Sequence, residues 1–360
     1  MIEARGLTRT FRAGNDTVEA VRGLDLDVGK GEMVAVLGPN GAGKSTTLRM
    51  LTTLLQPTAG SARVVGRDVT EDPAGVRRHI GYIGQGNSAG HSQRVLHELV
   101  AQVRCYGLGR REAARRGEAL LTALDLRGLG GRTVSSLSGG QRRRLDVALG
   151  MVQRPPLLFL DEPSTGLDPQ NRANLQAQIE RLRADHGTTI VLTTHYLDEA
   201  DAMADRVVVV DRGIVVADDT PERLKVDHAG DHIVITAADV ADAVSVAAAV
   251  DRTGAASTCQ VDGAVVTARV PGGATLVPGL LRDLDRAGVA VAAAEVGRPT
   301  LDDVFLALTG RSLREGGDAE PTGAEPTDAQ PTGREPAQVV GVPVVADRHP
   351  SDVVLLEKAS

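Results

Sequence analysis

The sequence has 360 residues, of which 42% are hydrophobic, so it is long enough for about two domains with substantial cores. Its net charge is −7, and residues 315–360 contain nine acidic and three basic residues, so the rest of the chain is close to neutral. A nucleic-acid-binding domain is expected to carry a basic surplus, and none is present. Cys105 and Cys259 lie far apart and offer neither a disulfide framework nor a Cys-x-x-Cys site.

Two features bear on where the chain acts. The first residues, MIEARGLTRTF, lack the apolar core of a secretory signal. Apolar runs such as VAVAAA, which begins at Val289, are much shorter than the roughly 18 residues of a membrane-spanning helix. We therefore expect a reducing cytoplasmic environment and no segment that crosses a membrane.

The chain changes character twice. Residues 1–225 alternate strand-like runs (MVAVLG, LLFLDE, TIVLTT) with helical stretches, which is typical of parallel-sheet α/β units. Residues 226–313 have the order strand, helix, strand, strand, helix, strand, which predicts a small ferredoxin-like α+β domain, and end with the amphipathic segment TLDDVFLAL. Residues 314–360 contain a five-residue repeat rich in Pro, Thr, Gly and acid, which predicts a disordered tail because it cannot bury enough apolar surface.

The segment LGPNGAGKSTTLRML, residues 37–51, matches the phosphate-loop pattern G-x-x-x-x-G-K-[ST]. An apolar strand precedes it, and a predicted helix with Leu48, Leu51 and Leu55 follows. Glycines let backbone N–H groups wrap an anion, and the positive end of the following helix points to the same place. The alternative is an ordinary glycine-rich turn, but a chance match in such a chain is on the order of one in a hundred.

This loop predicts a nucleotide site. Lys44 is expected to reach the β- and γ-phosphates, Ser45 to bind Mg²⁺, and Thr46 to lie near the α-phosphate. The expected phosphate-binding residues are Gly38, Pro39, Asn40, Gly41, Ala42, Gly43, Lys44, Ser45 and Thr46.

The run LLFLDEP places Asp161 and Glu162 at the end of an apolar strand. Ligands of open α/β sheets bind at the carboxyl edge of the strands, so both carboxylates are expected to lie there. Asp161 is predicted to hold Mg²⁺ through water. Glu162, on the opposite side of the strand, is predicted to be the base that orients the attacking water, and the alternative is an acidic strand end solvated at the surface.

A second glycine-rich helix start occurs in SSLSGGQRRRLDVAL. Ser138, Gly139, Gly140 and Gln141 precede a stripe of apolar residues, and such a helix start also receives anions. One nucleotide does not need two such loops from one chain. We therefore expect a head-to-tail pair in which this loop of one subunit closes on the γ-phosphate held by the other.

With these motifs in order, the chain resembles the ATP-binding subunit of ATP-binding cassette (ABC) transporters. GPNGAGKST resembles Walker A, Gln85 in IGYIGQ the Q-loop, LSGGQ the signature, and LLFLDEP Walker B. STGLD, with Asp168, resembles the D-loop, and His195 in TTHYLDEAD resembles the switch histidine. The resemblance covers about residues 1–225 and implies a P-loop NTPase core with a helical subdomain.

The resemblance also implies roles for single residues. Phe11 is expected to stack on adenine with Val18 beside it, although a core position is the alternative for Phe11. Gln85 is expected to sense Mg²⁺ and the attacking water, and His195 to hydrogen-bond the γ-phosphate; outside this order of motifs, each would be an ordinary loop or structural residue. Asp168 is expected to cross the dimer interface.

The implied cofactors are ATP and Mg²⁺, and the implied partners are a second copy and separate transmembrane permease subunits at the cytoplasmic face of the cell membrane.

The segment GRPTLDDVFLALTGR, residues 297–311, is similar to the end of the daunorubicin-resistance type of ABC subunit, which implies export of a drug-like or antibiotic molecule. Some members of that branch carry Gln where this chain has His195. The segment GNSAGHSQRVLHELV, which follows Gln85, is small and polar where the family often has an apolar turn. This region faces the membrane partner in the family.

A soluble ATP-driven switch acting on ribosomes or DNA is the alternative function. Related cassettes of that kind usually pair two cassettes in one chain or insert coiled coils or zinc-binding cysteines. Here the phosphate loop and the signature each occur once, with no cysteine cluster, and we expect no nucleic-acid partner.

Overall fold

The computed structural model describes residues 1–14, 16–86 and 88–310. Within this part of the chain, residues 88–153 form one compact unit, and the residues before and after them form another. The predicted disordered tail, residues 314–360, lies outside the described residues. The predicted domain boundary between residues 225 and 226 stays a prediction.

The described residues form fourteen strands and eleven α-helices. The strands are β1 (Ile2–Ala13), β2 (Asp16–Val28), β3 (Met33–Leu37), β4 (Ala59–Val64), β5 (Arg67–Asp68), β6 (Ile80–Ile83), β7 (Leu157–Asp161), β8 (Thr189–Thr194), β9 (Arg206–Asp211), β10 (Ile214–Asp219), β11 (Asp231–Ala237), β12 (Thr258–Asp262), β13 (Val265–Val270) and β14 (Val291–Gly297). The helices are α1 (Lys44–Leu51), α2 (Pro73–Arg77), α3 (Val95–Cys105), α4 (Arg110–Ala123), α5 (Gly139–Gly150), α6 (Pro169–His186), α7 (Leu197–Met203), α8 (Pro221–Leu224), α9 (Val240–Arg252), α10 (Gly273–Arg286) and α11 (Leu301–Thr309).

A six-stranded sheet in the order β10-β9-β3-β8-β7-β6 forms the centre of the larger unit. All neighbouring strands are parallel except the β9–β10 hairpin. Every residue of β3, β7 and β8 is buried, as expected for parallel strands covered on both faces. The carboxyl ends of these three strands therefore meet at one edge of the sheet.

A second sheet, in the order β2-β1-β4-β5, is antiparallel. The expectation that residues 1–225 consist of parallel α/β units was therefore incomplete. The second half of β2 alternates buried Leu24, Leu26 and Val28 with exposed residues, which is the pattern of a sheet with one face on the core. The predicted helix after the phosphate loop is also shorter than expected, because α1 ends at Leu51 and Leu55 lies beyond it.

Residues 88–153 form a helical unit. Helices α3 and α4 pack against each other, and both contact α5. Their buried faces include Leu99, Leu121 and Leu145. On α5, Leu145 and Ala148 are buried as the predicted apolar stripe requires, while Leu149 is half-buried.

The sheet formed by β11 to β14 has the order β12-β13-β11-β14 and is antiparallel throughout. This is the arrangement predicted for the ferredoxin-like domain. Buried residues of β11, β13, α9 and α10 form one core, which includes Ile233, Ile235, Val246, Val266 and Leu280. No helix within the described residues is both long and apolar enough to cross a bilayer.

Candidate active site

The phosphate loop connects β3 to α1 and is shaped by glycine. Gly41 and Gly43 have φ angles of 78° and 102°, which favour glycine. A Cβ atom on Gly38 would lie 2.2 Å from the carbonyl oxygen of Val210, and one on Gly43 would lie 2.4 Å from that of Ala20. Gly38 and Gly43 are therefore required by close backbone packing within the protein, whether or not a phosphate also approaches the loop. The other loop residues are half-buried Pro39, exposed Asn40, buried Ala42, and half-buried Ser45 and Thr46.

Lys44 is the first residue of α1, and its side chain is 4% exposed. Its ammonium group donates to the carbonyl oxygens of Gly38 at 2.7 Å and Pro39 at 3.0 Å, and lies 3.8 Å from Glu162 Oε1. Burial lowers the pKa of Lys44, and the carboxylates of Glu162 and Asp161 act against that effect. The loop thus holds a cation at its centre.

Asp161 ends β7 and is completely buried. Its Oδ1 accepts hydrogen bonds from Ser45 Oγ at 2.8 Å and Thr193 Oγ1 at 2.7 Å, and its Oδ2 accepts one from the Tyr82 hydroxyl at 3.4 Å. Gln85 Nε2 donates to Ser45 Oγ at 3.2 Å. The three predicted metal-binding residues, Ser45, Gln85 and Asp161, are therefore brought together.

Glu162 follows Asp161 with a φ angle of 47°, and its N–H donates to the carbonyl and hydroxyl oxygens of Thr193 at 3.2 and 3.0 Å. Glu162 Oε2 accepts from Thr165 Oγ1 at 3.1 Å and lies 3.6 Å from His195 Nδ1. The polar contact with His195 is the main cause that lowers the pKa of the Glu162 carboxyl, while burial opposes it and Lys44 assists it. Glu162 is therefore a carboxylate at neutral pH.

Phe11 and Val18 are cross-strand neighbours in the β1–β2 pair. Phe11 is half-buried and Val18 is 51% exposed, and neither belongs to the buried core. The guanidinium of Arg9 lies over the Phe11 ring, 4.7 Å from its centroid. Phe11 is therefore a half-buried aromatic residue of β1 and not part of the buried core.

Comparison with known proteins identifies the family. The ABC transporter model matches residues 21–165. The chain is 42% identical over 296 residues to the daunorubicin resistance ATP-binding protein DrrA3 of Streptomyces coeruleorubidus, covering 82% of this chain and 93% of that protein. It is 40% identical over 327 residues to the daunorubicin/doxorubicin resistance ATP-binding protein DrrA of Streptomyces peucetius, covering 89% and 97%. The chain belongs to this family of ABC transporter ATP-binding proteins.

The fold agrees with this assignment. The solved structure of cbiO1 from Clostridium perfringens, described as part of an ABC transporter complex, is 26% identical and has a TM-score of 0.57, with 62% of this chain and 89% of that chain covered. As an ABC ATP-binding protein, the chain binds ATP and hydrolyses it.

The ABC signature residues lie in the helical unit. Ser138 is the N-cap of α5, where its Oγ accepts from the Gln141 N–H at 3.2 Å and its own N–H donates to Gln141 Oε1 at 3.1 Å. Such a capping box stabilises the start of a helix. Ser138 and Gly139 are exposed, while Gly140 is buried. The signature loop thus presents a preformed helix N-terminus to solvent.

The D-loop residue Asp168 is the N-cap of α6. Its Oδ1 accepts from the Asn171 N–H at 2.9 Å, and its Oδ2 accepts from Asn171 Nδ2 at 2.6 Å. These hydrogen bonds lower the pKa of Asp168. A helix cap is therefore one role of this carboxylate in the single chain, which the family resemblance did not predict.

Sequence reasoning missed Thr193, Tyr82 and Thr165, which contact the two carboxylates. Thr193 pairs with Asp161 in the β7–β8 register, so a correct alignment of the two apolar strands would have found it. Tyr82 lies on β6, the other neighbour of β7. No local motif marks these residues as part of the site.

Proposed function

We propose that two copies of this chain bind Mg²⁺ and ATP and energise export of a drug-like or antibiotic molecule through separate transmembrane permease subunits at the cytoplasmic face of the cell membrane. The observation that carries this proposal is the convergence of Lys44, Asp161, Glu162, Gln85 and His195 beside one phosphate loop. Drug export is supported by relatives named for daunorubicin and doxorubicin resistance. The family assignment does not favour a soluble switch on ribosomes or DNA.

The phosphate loop supplies the positive charge for the triphosphate. The buried Lys44 ammonium donates hydrogen bonds to the neutral carbonyl oxygens of Gly38 and Pro39, and charged phosphoryl oxygens are stronger acceptors. Backbone N–H groups from Gly38 to Gly43 and the start of α1 add further donors. Ser45 and Thr46 complete the contacts with the phosphates.

The residues of the proposed Mg²⁺ site fit the metal. Mg²⁺ prefers oxygen ligands and is usually held by one or two carboxylates together with substrate phosphates and water. Ser45 Oγ lies within hydrogen-bond distance of both Asp161 Oδ1 and the side-chain amide of Gln85. Mg²⁺ bound there would neutralise charge on the phosphates.

Hydrolysis adds water to the γ-phosphorus and releases ADP and phosphate. The Glu162 carboxylate is proposed to accept a hydrogen bond from the attacking water and to take its proton. His195, 3.6 Å from Glu162, is proposed to hydrogen-bond the γ-phosphate. Most of the rate enhancement in phosphoryl transfer comes from positioning and electrostatic stabilisation, which these fixed side chains supply.

The signature loop is the reason to propose a dimer. Its helix start, with exposed Ser138 and Gly139 and buried Gly140, is a second candidate anion site, and one nucleotide does not require two such sites from one chain. In the proposed head-to-tail pair, this loop of one subunit closes on the nucleotide of the other, with Gln141 supporting the loop and Asp168 at the interface. Phe11 would stack on adenine beside Val18.

Co-expression with a candidate permease tests the export proposal. We expect the chain to move to the membrane fraction only with its permease and to raise drug tolerance. The variant Lys44→Ala should keep the membrane association but lose the tolerance, because it weakens nucleotide binding. Wild-type protein that stays in the soluble fraction and co-sediments with ribosomes would support the alternative function instead.

A further inference from the structure

The switch histidine is part of a stack of three side chains. The imidazole of His195 packs against the ring of Tyr196, with 4.1 Å between ring centroids and 40° between the planes. The guanidinium of Arg172 lies over the same Tyr196 ring, 3.7 Å from its centroid. A cation at this distance from an aromatic face is attracted by the ring, so Arg172 restrains Tyr196.

Arg172 comes from the first turn of α6. Its N–H donates to the carbonyl oxygen of Asp168 at 3.0 Å, and Asp168 caps the same helix. Tyr196 comes from the start of α7, as its N-cap. The stack therefore joins the beginning of α6 to the residue that follows His195.

A buried carboxyl group links α7 to a second part of the chain. Glu199, on α7, is 1% exposed, and its Oε2 accepts a hydrogen bond from Ser164 Oγ at 3.0 Å. Ser164 lies two residues after Glu162. Arg172 and His195 are both near enough to act electrostatically on the Glu199 carboxyl. The loop that carries Glu162, the start of α6 and the start of α7 are thus linked around His195.

We propose that Arg172 and Tyr196 are positioning residues for ATP hydrolysis: the cation–ring stack holds the His195 imidazole beside Glu162 and ties its orientation to the start of α6. The inference rests on the proposed role of His195. Neither side chain touches nucleotide in this scheme, so both act on turnover only through the histidine.

The test compares Arg172→Met and Tyr196→Leu with wild type, each alone and combined with His195→Ala. Because a misplaced catalytic group costs rate rather than affinity, we expect the single variants to lower kcat about tenfold while the Kd for ATP, measured by calorimetry, changes less than about twofold. In the His195→Ala background neither variant should lower kcat further, since residues acting as a unit are not additive.

Two controls guard against a general loss of structure. Tyr196→Phe keeps the ring and should recover most of the turnover that Tyr196→Leu loses. Arg181→Met changes an exposed arginine on the same helix, and thermal unfolding reports the folded state of every variant. If Arg172→Met does not yield folded protein, Arg172→Lys, which keeps the charge but not the planar group, takes its place.

The outcomes separate the inference from the proposed function. If His195→Ala is slow but the second substitutions reduce kcat by the same factor as in wild type, the positioning role is wrong and the role of His195 stands. Equal losses of kcat and ATP affinity in the single variants would also overturn the positioning role. If His195→Ala hydrolyses ATP at the wild-type rate, the proposed role of His195 and this inference both fail.

Discussion

Glu162 has an unfavourable backbone conformation and an ionised side chain that its neighbours stabilise. A φ angle of 47° is rare for residues other than glycine and asparagine, and such strain persists only where the surroundings enforce it. Here the N–H of Glu162 is held by Thr193, while His195 and Lys44 favour the ionised side chain. The Glu162 carboxylate lies near Lys44 and His195, whereas Asp161 accepts hydrogen bonds from other side chains, so the two adjacent acids have different partners.

Replacing Glu162 by Gln tests its role as the base. The amide has the same size but cannot accept the proton of water, so we expect kcat to fall by about 100-fold or more while ATP binding persists and nucleotide traps the dimer. Phosphate release and calorimetry measure the two effects. Glu180→Gln, at an exposed position of α6, is the matched control, and unchanged turnover in Glu162→Gln would refute the assignment.

Helix α5 carries a buried acidic residue in addition to the signature loop at its start. Asp146 on this helix is 1% exposed, and its Oδ1 accepts a hydrogen bond from the N–H of Ser88 at 2.9 Å. The N–H of Ala89 also bonds this carboxyl, yet burial is the larger effect and raises the pKa of Asp146. The small, polar segment that departs from the family pattern after Gln85 is therefore anchored to α5 where it enters the helical unit.

The raised pKa of Asp146 predicts a pH-dependent effect on stability. An acid whose folded pKa lies above its unfolded value favours folding most when protonated, and this contribution is lost as the pH rises through the folded pKa. Asp146→Asn keeps an acceptor for Ser88 without the charge, so we expect its melting temperature to exceed that of wild type at pH 7.5, by about 2 °C. The gain should shrink as the pH approaches 4.

Asp146→Ala is the comparison for this experiment. It leaves the N–H groups of Ser88 and Ala89 without their acceptor; Ala89 is buried, and an unsatisfied buried donor costs about 1–3 kcal/mol. Calorimetric melting curves at several pH values distinguish the variants. Equal destabilisation by Asn and Ala at neutral pH contradicts the assignment of a charge penalty to Asp146.

At the scale of the whole molecule, α11 connects the ferredoxin-like sheet to the ABC core. It buries Leu301, Val304 and Phe305 and contacts α7, α8 and the π-helical turn Lys225–Ala229. On its polar side, Asp303 completes a capping box with the N-cap residue Thr300 and forms an ion pair with Arg269 of β13 at 2.6 Å. The segment that carries the family resemblance at this end of the chain is thus a packing element.

Phe305→Ala tests the importance of this packing. The side chain is 1% exposed, and removing a buried phenylalanine typically costs about 3–5 kcal/mol. The neighbouring Leu306 is 40% exposed, so Leu306→Ala should cost less than about 1 kcal/mol. Urea unfolding measures both losses, and similar values for the two variants would show that α11 is not packed as described.

Short motifs determined much of this protein from sequence alone. The phosphate loop, the Asp161–Glu162 pair, the signature and the switch histidine are each encoded within a few residues, because the chemistry of phosphate and metal binding needs particular groups at close spacing. The order of elements after residue 225 likewise predicted the ferredoxin-like sheet, since few topologies accommodate it.

Other features were decided only by the tertiary structure. Thr193 and Tyr82 reach Asp161 from neighbouring strands, and the register that aligns them depends on packing between distant segments. The same holds for the antiparallel sheet of β1 and β2, the backbone strain at Glu162 and the stack of Arg172 on Tyr196. The spacing of residues along the chain does not predict these contacts, because they form only when separate elements are brought together around a common core.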